Sequence, residues 1–281
     1  MFNPYQKIPT IFTRNTVSKV LSKSYINPIV EYLKDLIWGW TEKIDGTNVG
    51  INWDGHKVSF QGRTEDAEFT PKQLDFLNEM FAGEDMAQIF EQKFGEKETT
   101  IYGELYGNDI QKVGRDYRED YGFRVFDVKI NGFYLSRQNV EDVATYFGLE
   151  IVPIVGQGTL QEAILYVLCH QKSTVDGCRA PLEGVVARPL VDIYNNKGER
   201  IIVKIKRQDF KAVNLKNTVK YCCSENGQFV TVNLQENFFE YSYYAILEDK
   251  EFDTYGFYSV EKVDGHLTTN VKRLGVFCST K

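Results

Sequence analysis

Asn48 to Trp53 and Lys57 to Arg63 read as two strands joined at Asp54-Gly55, a strong hairpin signal. Thr70-Pro71 then opens a helical stretch. Leu74, Leu77 and Phe81, followed by Met86, Ile89 and Phe90, keep helical spacing on either side of Gly83, which predicts two helices broken at the glycine, with a Met and Phe stripe facing the core. Thr99 to Tyr106 has strand character, and Gly122 to Tyr134 forms a second hairpin turning at Asn131-Gly132. Between them lies a polar loop from Asn108 to Asp120. One helix is predicted around Val140 to Phe147, closed by Gly148, and another opens at Thr159 with Glu162 completing a capping box. Gly156-Gln157-Gly158 lacks the third glycine of a dinucleotide fingerprint and is read as a loop. Glu183 to Arg188 and Arg200 to Arg207 are β-rich and flank a turn at Asn195-Asn196-Lys197-Gly198.

Both ends of the chain differ from this middle. Residues 1–40 read as a structural lead-in with a short helix near Asn27 to Ile37, entered at Asn27-Pro28. Beyond Asp209 the chain becomes aromatic, acidic and strand-like through Tyr241, Tyr243, Tyr244, Tyr255, Phe257 and Tyr258. The expected division is therefore a larger unit at 1–210 and a small β-rich domain or subdomain at 211–281.

Composition narrows the class. A chain of 281 residues with 42% hydrophobic content fills a substantial core. It has no apolar run of membrane-spanning length, and the polar start Met1-Phe2-Asn3-Pro4-Tyr5 has no secretory signature; the expected location is the cytoplasm. Cys169, Cys178, Cys222, Cys223 and Cys278 form no Cys-x-x-Cys pair and, with three scattered histidines, no zinc spacing. Reduced packing residues are expected. The net charge of -6 argues against indiscriminate nucleic-acid coating, yet Lys197 to Lys220 carries eight Lys/Arg against two acids, a candidate polyphosphate or RNA surface.

Charges also interrupt apolar strands. Residues two apart on a strand share a face, so Lys204 and Lys206 point one way from Ile-Val-Lys-Ile-Lys while Val203 and Ile205 point the other. Two cations there are costly to bury without anionic partners, and a triphosphate is such a partner. Glu104 intrudes on Ile-Tyr-Gly-Glu-Leu-Tyr, and Glu183 precedes Gly-Val-Val-Ala. Such carboxylates need metal, hydroxyl or cationic partners. Lys43 stands in Glu42-Lys43-Ile44-Asp45-Gly46-Thr47-Asn48, placed to act as a nucleophile. Lys-x-Asp-Gly alone is a weak signal, since it recurs at Lys262-Val263-Asp264-Gly265 with no room downstream for supporting chemistry.

In order along the chain, Lys43-Ile44-Asp45-Gly46, Arg63, Tyr102-Gly103-Glu104, Phe126-Asp127, Glu183-Gly184-Val185-Val186 and Lys204-Ile205-Lys206 resemble the nucleotidyltransferase motifs of covalent ligases and capping enzymes. Tyr-Gly-Glu-Leu-Tyr-Gly and Glu-Gly-Val-Val-Ala-Arg-Pro most resemble the type-2, nick-sealing RNA ligases. The resemblance runs from about Lys7 to Phe210. It implies an α+β, ATP-grasp-like ligase fold: two antiparallel sheets packed together, flanked by helices, with the nucleotide in the cleft between them and a small β-rich C-terminal region.

By that resemblance Lys43 attacks the ATP α-phosphorus, Arg63 and Glu104 hold the ribose, and Phe126 stacks on adenine. Glu42 lies beside the adenine edge, with Ile44 completing the nucleotide site. Asp45, Glu104 and Glu183 organise Mg2+ or Mn2+ mainly through water. Lys204 and Lys206 hold the α-phosphate, and Asn48 faces the RNA 3′ end. AMP passes from Lys43 to an RNA 5′-phosphate, and a 3′-hydroxyl displaces it to seal the strand. The implied partner is RNA with 5′-phosphate and 3′-OH ends, chiefly nicked duplex, bound by a monomer with no membrane attachment. A DNA ligase or an mRNA guanylyltransferase uses the same lysine logic, and an RNA end-binding protein with an inactive transferase fold is the non-enzymatic alternative.

An unperturbed lysine, with a pKa of about 10.4, is only ~0.04% free amine at pH 7. Lys204, Lys206, Arg63 and a metal are the groups expected to disfavour a charged Lys43, against the opposing pull of Asp45.

Overall fold

Strands with one apolar and one polar face build two sheets here, each backed by its own helices. The computed structural model describes residues 2–14 and 21–210 and, beyond them, the backbone of further strands. In chain order the elements are β1 (Phe12–Arg14), β2 (Leu21–Tyr25), α1 (Pro28–Tyr32), β3 (Trp38–Lys43), β4 (Thr47–Trp53), β5 (Val58–Gln61), α2 (Pro71–Phe81) and α3 (Glu84–Phe94). There follow β6 (Thr99–Gly107), α4 (Gly114–Tyr117), β7 (Tyr121–Ile130), β8 (Phe133–Tyr134), α5 (Arg137–Tyr146), β9 (Glu150–Ile151), β10 (Ile154–Gly158), α6 (Leu160–Cys169), β11 (Gly184–Pro189) and β12 (Val203–Lys206). Further on, β13 (Thr218–Cys222) pairs with β14 (Phe229–Asn233), and β15 (Gln235–Glu236), β16 (Tyr243–Asp249), β17 (Thr254–Val263) and β18 (His266–Cys278) form a four-stranded sheet. The side chains of that region, the aromatic run among them, and Asp264-Gly265 of the second Lys-x-Asp-Gly lie outside the described residues.

One sheet of the main body has the antiparallel order β10-β3-β11-β12, and the other runs β5-β4-β6-β7-β8. The α+β expectation holds, with one difference: β9 joins β7 in parallel. Each sheet packs its outer face on helices. Trp38, Trp40, Val185, Ala187, Val203 and Ile205 meet Leu160, Ala163, Ile164 and Val167 of α6. Val49, Ile51, Trp53, Ile101, Leu105 and Val125 meet Leu77, Phe81, Phe90, Val140 and Val143 of α2, α3 and α5. Among the described residues a third, smaller cluster gathers Ile44, Tyr106, Tyr117, Val152, Val175 and Ala180, and Tyr5, Tyr102, Phe126 and Tyr134 form an aromatic group at the cleft. The main cores thus lie outside the two-sheet layer, which leaves the inner faces room for polar chemistry.

Helix ends follow the predicted caps. Thr159 and Glu162 form the capping box of α6, and Thr70 forms another with Gln73 at α2. Four local readings change. The predicted loop at Gly156-Gln157-Gly158 is part of β10, which pairs with β3. Glycine depresses strand propensity, but here it makes room: a Cβ on Gly156 would stand 2.8 Å from the Trp40 ring. The helix after Asn27 is only the five residues of α1, and the polar loop from Asn108 to Asp120 contains the short α4.

The fourth change concerns the lead-in, which is a strap between the sheets and not a mere approach. The Asn3 N–H donates to Gln61 Oε1 at 2.8 Å, and its carbonyl accepts from Tyr102 at 2.8 Å. Farther on, the Lys204 N–H donates to the Pro9 carbonyl at 2.9 Å, and Ile11 donates to the Lys204 carbonyl at 3.1 Å. Tyr5, Gln6 and Ile8, between these anchors, line the cleft.

Candidate active site

The cleft between the inner faces has a volume of about 550 Å³. Glu42, Lys43, Ile44, Asp45, Asn48, Arg63, Glu104, Phe126, Glu183, Lys204 and Lys206 all line it. Alternation explains much of this convergence. Val203 and Ile205 are fully buried in the outer core, so Lys204 and Lys206 face inward from β12. Asn48 sits opposite Glu104 in the β4–β6 register, while Val49 and Leu105 go to the outer core.

Lys43 ends β3, and the chain crosses to the second sheet through Ile44-Asp45-Gly46. The motif glycine is set by close approach: a Cβ on Gly46 would stand 2.4 Å from the Leu105 carbonyl oxygen. The crossing therefore lies tight against β6. This brings Asp45 and Glu104 toward Lys43. Sequence reading placed Lys43 only ahead of a hairpin; β3, with its two tryptophans, was not anticipated as a strand.

Glu183 is the electrostatic hinge of the site. One of its oxygens is 2.5 Å from Lys43 Nζ and the other is 2.6 Å from Lys206 Nζ. The side chains of both lysines are 22% exposed and that of Glu183 is 13% exposed, so the triad is sheltered yet reachable. Burial acts to lower the Lys43 ammonium, but Glu183, with Glu104 and Asp45 behind it, outweighs burial and the net shift is upward. The expectation that neighbouring cations depress Lys43 is thus reversed in this arrangement, because Glu183 stands between Lys43 and Lys206. Lys204, by contrast, is depressed by burial and by Lys206, Lys43 and Arg63. Arg63 itself is exposed, beyond the end of β5.

The carboxylates are strained electrostatically as well. Burial, with Glu183 and Asp45 adding to it against the pull of Lys43, pushes Glu104 up to about 7. Asp45 is raised by burial and by Glu183, against Lys43 and Lys206. Among the described residues no three His, Cys, Asp or Glu side chains stand close enough to ligate one ion directly. Asp45 and Glu104, each raised in part by Glu183, nevertheless form with it an oxygen-donor set suited to a hydrated divalent cation held through water.

At the other end of the cleft, Phe126 and Asp127 both line the wall although they are consecutive on a strand. A bulge makes this possible. Tyr102 pairs with Asp127 and Gly103 with Val125, so Phe126 is skipped, while Val125 and Val128 on either side go to the outer core. Bulges re-aim side chains in this way.

Asp127 is 1% exposed and ion-pairs with Arg200, and it accepts from the Tyr5 hydroxyl at 2.8 Å. Arg200 also stacks over the Tyr134 ring at 3.6 Å. Arg188 stands 3.8 Å from Asp127. Arg137 lines the same region and is pulled down to about 10 by burial and by Arg188. Sequence reading missed Tyr5, Arg137, Arg188 and Arg200. Arg200 was signalled only as a charge opening the apolar run Ile201-Ile202-Val203.

Glu42 departs from its neighbours. Its side chain is on the face of β3 opposite Lys43, by alternation, and its carboxylate is held by Ser173 and Thr174. Its cross-strand partner Val185 is in the outer core. Ile44 is 2% exposed and packs with Tyr117 and Val175 beneath the cleft. Gln111, another residue not anticipated, donates to the Gly46 carbonyl at 3.1 Å. Cys178 is a free thiol against the Ile44 cluster, a packing residue as expected.

Solved structures of Naegleria gruberi RNA ligase are similar to this chain in fold. A variant with ATP and Mn is 17% identical with a TM-score of 0.50, over 72% of this chain and 59% of that one. An apo variant is 16% identical with a TM-score of 0.51, over 74% and 60%. A further variant with AMP and Mn is 16% identical with a TM-score of 0.50, over 75% and 64%. The alignments therefore span less than two thirds of the length of those proteins. No curated protein sequence matches. The model of the RNA ligase family matches residues 37–206, more than half of the chain and the span from β3 to Lys206 that supplies most of the cleft lining, and the chain belongs to that family.

Proposed function

We propose that this chain is an ATP-dependent RNA ligase working through lysyl-AMP on Lys43. The observation that carries the reading is the Lys43–Glu183–Lys206 bridge, with Lys204 facing the same cleft. In the first step Lys43 Nζ, as free amine, forms a P–N bond to the ATP α-phosphorus, and the bond to pyrophosphate breaks. Glu183 and Asp45 are the carboxylates positioned to take up the ammonium proton. Lys204 and Lys206 stabilise charge on the α-phosphate and leaving group. Phe126 supplies an aromatic face for the base. In the second step an oxygen of the RNA 5′-phosphate displaces Lys43 from AMP. In the third a 3′-hydroxyl attacks that 5′-phosphate, forming the phosphodiester and releasing AMP.

Asp45, Glu104 and Glu183 are the residues that would hold hydrated Mg2+ or Mn2+. Such an ion supplies neutralisation of phosphate charge. The similar Naegleria ligase carries ATP or AMP with Mn in its structures, which supports this pairing. Asn48, on the cleft wall at the β4 end, is assigned to the RNA 3′ end, and nicked duplex RNA is the substrate favoured by the Tyr-Gly-Glu-Leu-Tyr-Gly and Glu-Gly-Val-Val-Ala-Arg-Pro versions of the motifs. Residues 1–210 form the adenylyltransferase unit, with 211–281 as a separate β-rich unit.

The test is incubation with α-labelled ATP or GTP and Mg2+ or Mn2+, beside Lys43→Ala, followed by denaturing electrophoresis. A label from ATP that is lost in Lys43→Ala, with preformed AppRNA still joined by the variant, is the expected result. Label from GTP alone would move the chain to capping. No label under any metal condition would leave an RNA end-binding role.

A further inference from the structure

The family resemblance sets Glu42 beside the adenine edge, but its carboxylate is bound by Ser173 and Thr174. It adjoins the candidate nucleophile and is only 1% exposed, yet it sits on the outer-core face of β3, where an ionised group is costly unless fully hydrogen-bonded. Here it is. One oxygen accepts from the Ser173 hydroxyl at 2.5 Å, and the other accepts from the Thr174 backbone N–H at 2.7 Å and the Thr174 hydroxyl at 2.6 Å.

The loop that makes these bonds is internally tied. Ser173 accepts from the Val175 N–H at 3.1 Å, and the Ser173 N–H donates to the Ala180 carbonyl at 2.9 Å. Val175 and Ala180 then pack in the same cluster as Ile44. One loop therefore grips both chain neighbours of Lys43, Glu42 through hydrogen bonds and Ile44 through packing. The grip comes where one neighbouring strand gives out. On the β10 side the strand pairing of β3 stops at Thr41 opposite Ile154, with one last bond from the Glu42 N–H to the Pro153 carbonyl.

We propose that Ser173 and Thr174 are positioning residues for the nucleophile: through Glu42 they fix the end of β3 on the side where β10 no longer pairs with it, so that Lys43 is aimed at the reacting phosphate. Neither residue lines the cleft. This rests on the lysyl-AMP reading above. It assigns Glu42 to orientation of the lysine and not to recognition of the base.

The experiment is single-turnover lysyl-AMP formation across a range of ATP concentrations in Thr174→Val, Ser173→Ala/Thr174→Val, Thr174→Ser, Glu42→Ala and Glu42→Gln, with ATP and GTP compared. Misplacement of a reacting group by about 1 Å costs on the order of 100-fold. The maximal rate in the double variant is expected to fall ~10- to 100-fold while half-saturation by ATP stays within about threefold. Thr174→Ser should restore the rate. Glu42→Gln should recover most of what Glu42→Ala loses, because the amide keeps an acceptor for Thr174 and the Ser173 hydroxyl can rotate to accept from its NH2. The ATP preference should be unchanged throughout. Unaltered rates in Thr174→Val and the double variant would overturn the proposal, as would a rise in half-saturation or a loss of ATP preference at an intact maximal rate. If the double variant does not fold, Thr174→Val against Thr174→Ser carries the same comparison. Failure of the unmodified chain to form lysyl-AMP would instead sink the parent reading, and this one with it.

Discussion

Lys43 Nζ and Glu183 Oε2 are 2.5 Å apart, and Glu183 shares its second oxygen with Lys206. The nucleophile candidate thus rests as an ammonium held by a carboxylate. Because the surrounding acids raise Lys43 above its ordinary value, its free-amine fraction grows with pH throughout the neutral range.

The rate of lysyl-AMP formation at fixed divalent cation should rise with pH, approaching about tenfold per unit while amine supply is limiting. Glu183→Gln should lower the pH at which the free amine forms, and slow the step by loss of the anion. Rates of labelling between pH 6 and 9 measure both. A flat profile in the unmodified chain would remove Lys43 deprotonation as the controlling event.

Glu104 should make the cation-free fold weaker as pH rises. It is raised to about 7 in the fold against about 4.3 in an unfolded chain. Between those values the folded state holds a proton that the unfolded state has released, so stability is lost as pH climbs through that window and stays lost above it. Thermal unfolding at pH 5 and pH 8 tests this: Glu104→Gln should be more stable than the parent at pH 8 and close to it at pH 5. Added Mg2+ or Mn2+ should raise the midpoint more at pH 8, where the carboxylates are ionised.

Arg200→Leu should destabilise the protein by about 3–5 kcal/mol, because it strands Asp127 as a buried charge. Both side chains are almost fully buried, at 2% and 1% exposure. Urea unfolding should show the loss, and Arg200→Leu/Asp127→Leu should recover part of it. A loss under 1 kcal/mol in the single variant would mean that Arg188, 3.8 Å from Asp127, substitutes for Arg200.

Phe126→Ala should leave the fold intact, since the bulge is fixed by the pairing of Val125 and Asp127 with β6. If the ring stacks on the base, its loss costs about 1–3 kcal/mol. The half-saturating ATP concentration should therefore rise ~5- to 150-fold. Binding isotherms for ATP give the number directly.

What the sequence marked by itself is a set of charged residues that the fold gathers in the cleft, and the faces of its regular strands. Lys204 and Lys206 were legible because charge at every second residue of an apolar run defines a face, and Glu104 and Glu183 because a carboxylate in such a run demands a partner. Thr159–Glu162 was legible because a cap is a local matter. Tertiary structure decided the rest. Phe126 and Asp127 share a wall only because a bulge breaks alternation, and a bulge depends on the partner strand. Gly156 belongs to a strand because β3, from far away in sequence, pairs with it, and the Trp40 ring there leaves no room for a Cβ. The sign of the Lys43 shift depended on Glu183 standing between two lysines, a distance of 140 residues along the chain. Tyr5 and Arg200 meet at Asp127 because the N-terminal strap spans two sheets. Periodicity along a chain reports which way a side chain points; which charge it meets there is set by long-range packing.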